Sequence, residues 1–131
     1  MAFRHTVAVL SLVGALSACG GISSPSTNKV QDFAGTLPVG GSTSYPFSAS
    51  KTGEFFVTVT ELGNRTLTIG TGLGEVVNSQ CQPLAGYVQP FSRWNQQALG
   101  GPISKGSYCV VVYDPGTLVA AITYTVRVSH P

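Results

Sequence analysis

Charged side chains are scarce in this chain: Asp, Glu, Lys and Arg make up 9% of its residues, against about 25% in ordinary soluble domains. Helix-forming runs of Ala, Glu, Lys and Leu are missing as well. Together with the abundance of Gly, Ser and Thr, this argues against a helical cytosolic domain and for an exported β-rich one. The few cations do not cluster. Of the 7 Lys and Arg residues, Arg4 lies in an N-terminal leader, which leaves 6 basic against 5 acidic residues in the remainder. Lys29, Lys51, Arg65, Arg93, Lys105 and Arg127 are scattered along the sequence. No stripe of them follows a phosphate backbone, so no nucleic-acid partner is expected. No apolar run approaches the roughly 20 residues of a membrane-spanning helix. No segment repeats at a period of about 20–50 residues, which excludes solenoids and propellers.

Groups that do chemistry are equally sparse. Beyond the leader there is one histidine, His130, next to Pro131, where chains are usually poorly ordered. The carboxylates Asp32, Glu54, Glu61, Glu75 and Asp114 are isolated, and each is accounted for by solvation or by turn chemistry. A calcium loop needs several carboxylates close together. No catalytic residue, metal or cofactor is therefore expected, and the chain does not read as an enzyme. A cleft gathering two of Asp32, Glu75 and Asp114 would reopen a hydrolase reading. Gly70, Gly72 and Gly74 are spaced like a phosphate loop, but such a loop needs a helix N-terminus after it. Glu75-Val76-Val77 reads as strand, so the glycines are expected to mark a kink or bulge.

Residues 1–18 read as an export signal. Arg4 and His5 are followed by the apolar stretch Val7 to Leu16, and then by Leu16-Ser17-Ala18-Cys19-Gly20. This last segment resembles a bacterial lipobox. The resemblance implies a diacylglyceryl group on the Cys19 sulfur, cleavage before Cys19 and acylation of the new amino terminus; several acyl chains hold a protein stably to a membrane. Ordinary secretory cleavage after Ala15-Leu16-Ser17 is the alternative. By the same resemblance, Gly20 lacks the aspartate that retains enteric lipoproteins in the inner membrane, so the cell envelope, and the outer membrane where there is one, is the expected location. Three cysteines are awkward in an oxidising compartment, and lipidation of Cys19 leaves Cys81 and Cys109 as a pair. A disulfide between them is worth about 3–4 kcal/mol in the chain-entropy model. A redox or metal pair is the other reading, but the chain has no CxxC. Residues 19–30 form the lipidated cysteine and a small, polar, flexible tether with a coil span of roughly 18 Å.

From residue 31 to 131 the side chains alternate with period two, and Gly, Pro, Asn and Asp punctuate them. Strands are predicted at Asp32–Leu37, Ser44–Ser50, Glu54–Leu62, Thr66–Thr71, Ser107–Tyr113 and Ile122–Ser129. Phe55, Val57 and Val59 are expected to point inward, as are Leu67 and Ile69, and Tyr124, Val126 and Val128. Tyr108, Val110 and Val112 share one face. Residues 72–97 are the least legible; short strands near Val76–Cys81 and Gln96–Leu99 are predicted there, with a break at Gly100-Gly101-Pro102. About eight short strands without a helix point to a single all-β domain, an antiparallel two-sheet β-sandwich.

Within the least legible stretch lies Tyr87-Val88-Gln89-Pro90-Phe91-Ser92-Arg93-Trp94. Aromatic faces beside amides suit a sugar ring or a peptide. Tyr87, Phe91, Arg93 and Trp94 are therefore a candidate binding surface for a protein or glycan; the plainer reading is that Phe91 and Trp94 cap the core.

Two segments carry a family resemblance. Phe33-Ala-Gly-Thr-Leu with Tyr45-Pro-Phe-Ser-Ala-Ser-Lys-Thr-Gly53 and Phe56-Val-Thr-Val-Thr is one; Ile103-Ser-Lys-Gly106-Ser-Tyr-Cys-Val-Val-Val-Tyr-Asp114 with Tyr124-Thr-Val-Arg-Val128 is the other. They resemble bacterial pre-peptidase C-terminal domains over most of residues 31–129, and also small free-standing bacterial lipoproteins of similar pattern. The resemblance implies a jelly-roll-like sandwich and a non-catalytic module, here without a catalytic domain in front of it. The expected role is a binding or interaction module of the cell envelope. A structural envelope lipoprotein or assembly subunit is the alternative, and a hydrolase a remote one.

Overall fold

Alternation of inward and outward side chains, clearest in β3 and β8, runs through the eight strands of the computed structural model, which describes residues 27–131. The predicted export signal, Cys19 and the first part of the predicted tether lie outside the described residues. The strands are β1 (Lys29–Leu37), β2 (Ser42–Ala49), β3 (Gly53–Leu62), β4 (Thr68–Val77), β5 (Gln80–Arg93), β6 (Gln96–Ile103), β7 (Gly106–Tyr113) and β8 (Ile122–His130). They form two four-stranded antiparallel sheets, ordered β1-β8-β3-β6 and β2-β7-β4-β5. Every connection except the β4–β5 hairpin crosses from one sheet to the other. That is the jelly-roll arrangement, in which two sheets cover each other's apolar faces.

The core follows from the alternation. Phe55, Val57 and Val59 of β3, Ile69 and Leu73 of β4, Val110 and Val112 of β7, and Val126 and Val128 of β8 are all fully buried. Each comes from a strand in the middle of its sheet, where both neighbours hydrogen-bond it and the facing sheet closes over it. β-branched side chains suit this setting, because their restricted rotamers are already compatible with the pleat. The four prolines within strands, Pro46 in β2, Pro83 and Pro90 in β5 and Pro102 in β6, all lie in edge strands. A residue without an N–H is tolerated there and not in a central ladder.

Three differences from the sequence reading have physical causes. Lys29 and Val30, assigned to the tether, extend β1 by pairing with His130 and Ser129. No strand spans Val76–Cys81: β4 runs on to Val77, and the chain reverses at Asn78-Ser79 before β5 begins. Both turn residues have positive φ, 50° and 63°, as a two-residue hairpin of the primed type requires. Asn-Ser is a weaker signal for that turn than Asn-Gly. Gly100-Gly101-Pro102 does not break the chain but lies inside β6, with Pro102 opposite Glu54 and Gly101 opposite Phe55. An edge strand accommodates the proline, and the missing Cβ of Gly101 leaves room for the Tyr87 ring.

His130 also departs from expectation, being 2% exposed. Its ring meets Phe47 at 4.9 Å between centroids, and Nε2 lies 2.9 Å from Oε1 of Gln31. Beyond it, the Pro131 carbonyl accepts a 2.9 Å hydrogen bond from the Ser50 N–H.

Truncating Phe55 to Ala removes the largest fully buried side chain and is expected to cost about 3–5 kcal/mol. Val119→Ala, at a residue 95% exposed, is expected to change stability by less than about 0.5 kcal/mol. Chemical denaturation of the two variants measures both values.

Candidate functional site

The outer face of the β2-β7-β4-β5 sheet is shaped by what β4 lacks. Ile69, Thr71 and Leu73 point into the core, so Gly70, Gly72 and Gly74 line the opposite face. The glycine row is thus a strand, interrupted in its pairing to β5 by register shifts between Ile69 and Thr71 and between Gly72 and Gly74. Each glycine admits a different neighbour. A Cβ on Gly70 would overlap the Tyr113 ring, which lies over that backbone. A Cβ on Gly74 would stand 2.9 Å from the Cys81 sulfur and 2.6 Å from the Gln82 carbonyl oxygen. Gly72 between them has only ordinary contacts.

Cys81 and Cys109 are joined in a disulfide, with Cα atoms 5.9 Å apart. Cys109 is opposite Gly74 on one side of β4, and Cys81 is opposite Val76 on the other. The bridge therefore passes across β4 from β7 to the edge strand β5, and it does so over a glycine. It pins β5, the least regular strand, to the middle of its sheet.

Around Gly72 opens a groove of about 420 Å³. Pro83, Val88, Val111 and Tyr113 supply an apolar lining, and Gly40, Gly41, Ser42 and Asp114 form its rim. Val88 is 50% exposed. The Tyr113 ring thus both covers Gly70 and lines the groove. The rim is rigid because Asp114 ties two loops together. Its Oδ2 accepts a 2.8 Å hydrogen bond from the Gly40 N–H. Its Oδ1 accepts from the N–H groups of Gly116, Thr117 and Leu118 at 2.8, 2.9 and 3.2 Å. The bond from Gly40 is the main reason its carboxyl is held below the usual aspartate range, and the three others add to it. Asp114 therefore stays ionised, and Oδ2, which accepts only from Gly40, keeps acceptor capacity at the rim.

The candidate surface read from sequence is divided by the fold. Tyr87 is half-buried and tilts against Phe55, 5.6 Å between centroids. Trp94 is half-buried against the core, with the Arg65 guanidinium 4.0 Å above its ring, and its indole N–H is enclosed without a partner among the described residues. Phe91, by contrast, is 60% exposed, and Arg93 is exposed beside it. Both follow Val88 along β5. Cys19 lies outside the described residues. Val111 and Tyr113, which sequence reasoning did not single out, belong to the groove. The only signal for them was the row of small residues on β4, whose empty face had to be covered by something.

The carboxylates do not converge. Asp32 is on β1, where it makes a two-pronged pair with Arg127 directly opposite on β8, at 2.7 and 2.8 Å. That hydrogen bond holds the Asp32 carboxyl low. Glu75 lies opposite Tyr108, and Tyr113, the residue before Asp114, lies opposite Gly70. Along β7 this separates Glu75 from Asp114 by about 20 Å. Burial pushes the Tyr124 phenol well above its ordinary range, and its hydroxyl lies 2.7 Å from that of Tyr45. No family model and no curated protein matches the chain.

Two outcomes follow from this geometry. Gly74→Ala is expected to cost about 1–3 kcal/mol in the oxidised protein and less after reduction, because edge strand β5, no longer tied to Cys109, can then carry both the Cys81 sulfur and the Gln82 carbonyl away from the new Cβ. Denaturation curves with and without reductant test this, and an equal cost in both would contradict it. The lowered Asp114 and Asp32 carboxyls stabilise the fold fully above their unfolded-state pKa of about 3.9, and this contribution is lost as pH falls through the lower folded-state values. Asp114→Asn is therefore expected to lower the thermal midpoint by a few degrees at pH 7, with the gap to wild type closing as pH falls below about 4.

Proposed function

We propose that this chain is an exported lipoprotein, held to a cell-envelope membrane through Cys19, whose jelly-roll domain is a non-catalytic binding module. The observation that carries the reading is the groove on the β2-β7-β4-β5 sheet, lined by the Tyr113 ring together with Val88, Val111 and Pro83. A ring face flanked by aliphatic side chains attracts a flat apolar surface, and pyranose rings present one on each side. The rim adds the Ser42 side chain and the backbone of Gly40 and Gly41, suited to hydroxyl groups. The Asp114 anion on the rim repels acidic ligands, and its Oδ2 can accept from a hydroxyl group, so a neutral glycan of the envelope suits the site best. The jelly-roll strand order supports the kinship with pre-peptidase C-terminal domains proposed for residues 31–129, modules that generally accompany exoenzymes without catalysing.

Exposed Phe91 and Arg93 favour a second reading, a protein partner docked along β5, since exposed aromatic and arginine side chains are frequent interface anchors. In that case the chain is a subunit of an envelope assembly.

Affinity electrophoresis of the exported protein through gels containing a panel of neutral polysaccharides separates the two. Retardation in at least one gel is expected, with Tyr113→Ala weakening it at least tenfold and Phe91→Ala leaving it unchanged. Free migration in every gel, or retardation that survives Tyr113→Ala, would contradict the glycan reading. Loss of partners recovered from crosslinked cells in Phe91→Ala would support the second.

A further inference from the structure

All the lysines of this chain, Lys29, Lys51 and Lys105, stand exposed at one end of the sandwich. The fold brings them there from three separate segments. Lys29 opens β1 opposite His130. Lys51 lies in the turn between β2 and β3, where the neighbouring Ser50 N–H donates to the Pro131 carbonyl. Lys105 lies in the turn between β6 and β7, bounded by the pairs Gly53–Ile103 and Ala49–Gly106. Glu54 and Glu75 are the nearest acidic residues along the strands. Among the described residues, however, the ion pairs are Arg65–Glu61 and Arg127–Asp32, and none involves a lysine. The opposite end carries Asp114, Glu61, Arg65 and Arg93 and so has no excess of one sign. Beside Lys29 on the lysine end, Val30 is 58% exposed.

The chain also enters the domain at this end. Thr27 accepts a 3.5 Å hydrogen bond from the Lys51 ammonium, and Asn28 donates to the Glu54 carbonyl at 2.8 Å. From Cys19 to Thr27 is 27 − 19 = 8 residue steps, at most about 28 Å when extended and about 16 Å as a coil. A domain on so short a tether turns its entry end toward the membrane. Attraction to a charged surface acts within about 8 Å at physiological salt, a separation the tether permits.

We infer that the lysine end docks on the anionic phospholipid headgroups of the membrane that holds Cys19, orienting the sandwich upright with the Tyr113 groove at its side. The inference rests on the proposed lipidation for its geometry, but the contact itself is one of charge. Lys29, Lys51 and Lys105 exceed Glu54 and Glu75 at this end by 3 − 2 = 1 positive charge, and an excess of one lysine near an anionic surface raises the docked fraction about fivefold.

The test uses the exported protein, purified from membranes or culture medium as the cell delivers it, with vesicles of pure phosphatidylcholine or with one third phosphatidylglycerol. Amine labelling of each lysine is read by peptide mass spectrometry, and the same spectra show whether Cys19 carries acyl chains. The anionic vesicles are expected to protect all three lysines several-fold relative to the neutral ones. High salt should abolish the difference, and Lys51→Glu, a change in an exposed turn, should weaken protection of Lys29 and Lys105. Equal labelling on both vesicles would overturn the docking, whatever Cys19 carries. Protection in a protein without acyl chains would uphold the docking and overturn the anchor alone.

Discussion

Neither sheet of this molecule can keep its inward side chains dry alone. Val57 and Val59 of β3, Val110 and Val112 of β7 and Val126 and Val128 of β8, with Phe55, Ile69 and Leu73, are shielded because the other sheet lies over them, and the rest of the structure depends on that mutual cover. It places β8 and β3 in the middle of one sheet and β7 and β4 in the middle of the other. It also leaves the strand prolines and the exposed aromatic Phe91 to the edge strands, where a ladder tolerates irregularity. With so few charges the domain has little else to draw on. Among the described residues the two-pronged ion pair, Asp32 with Arg127, is half-exposed, where water and salt screen it.

The outer faces are where the two sheets differ. Glycine alternating with apolar residues on β4 gives a strand with an ordinary core side and an almost bare outer side. Tyr113, the Cys81–Cys109 bridge and the lining of a groove occupy that bare side. Stability and binding meet there. The disulfide holds β5 against its neighbours, β5 brings Val88 to the groove, and Asp114 fixes the loops that form the rim. A ligand site built on a rigid sheet face, with its loops tied down, needs little rearrangement to bind.

Much of this was legible in the sequence. The inward sets in β3, β7 and β8 stand out because period-two alternation is strongest where one face is wholly buried, and the cysteine count pointed to the Cys81–Cys109 pair. What escaped was the path of residues 72–97. There the alternation is blurred by extra residues in β5, which shift its register against β4 and turn consecutive side chains to unexpected faces. Tyr87 and Trp94 were grouped with Phe91 and Arg93 because they are neighbours in sequence. The bulges send the first two toward the core and leave the others in solvent. The groove was invisible for a related reason: β4 supplies its floor, β5 and β7 its walls and the β1–β2 loop its rim, and only the strand order brings them together. His130, buried by Phe47 and Gln31, shows that closeness to a chain end says little once a strand is paired to its last residues.

Amide hydrogen exchange tests the two-sheet account most directly. The account expects the slowest amides in the central strands, at Val57 and Val59 of β3, Leu73 of β4, Val110 and Val112 of β7, and Val126 and Val128 of β8. Amides of β1, β2, β5 and β6 should exchange faster, since each of those strands has one neighbour. Amides of β5 or β6 as slow as those of β7 and β8, or fast exchange through β3, would contradict it.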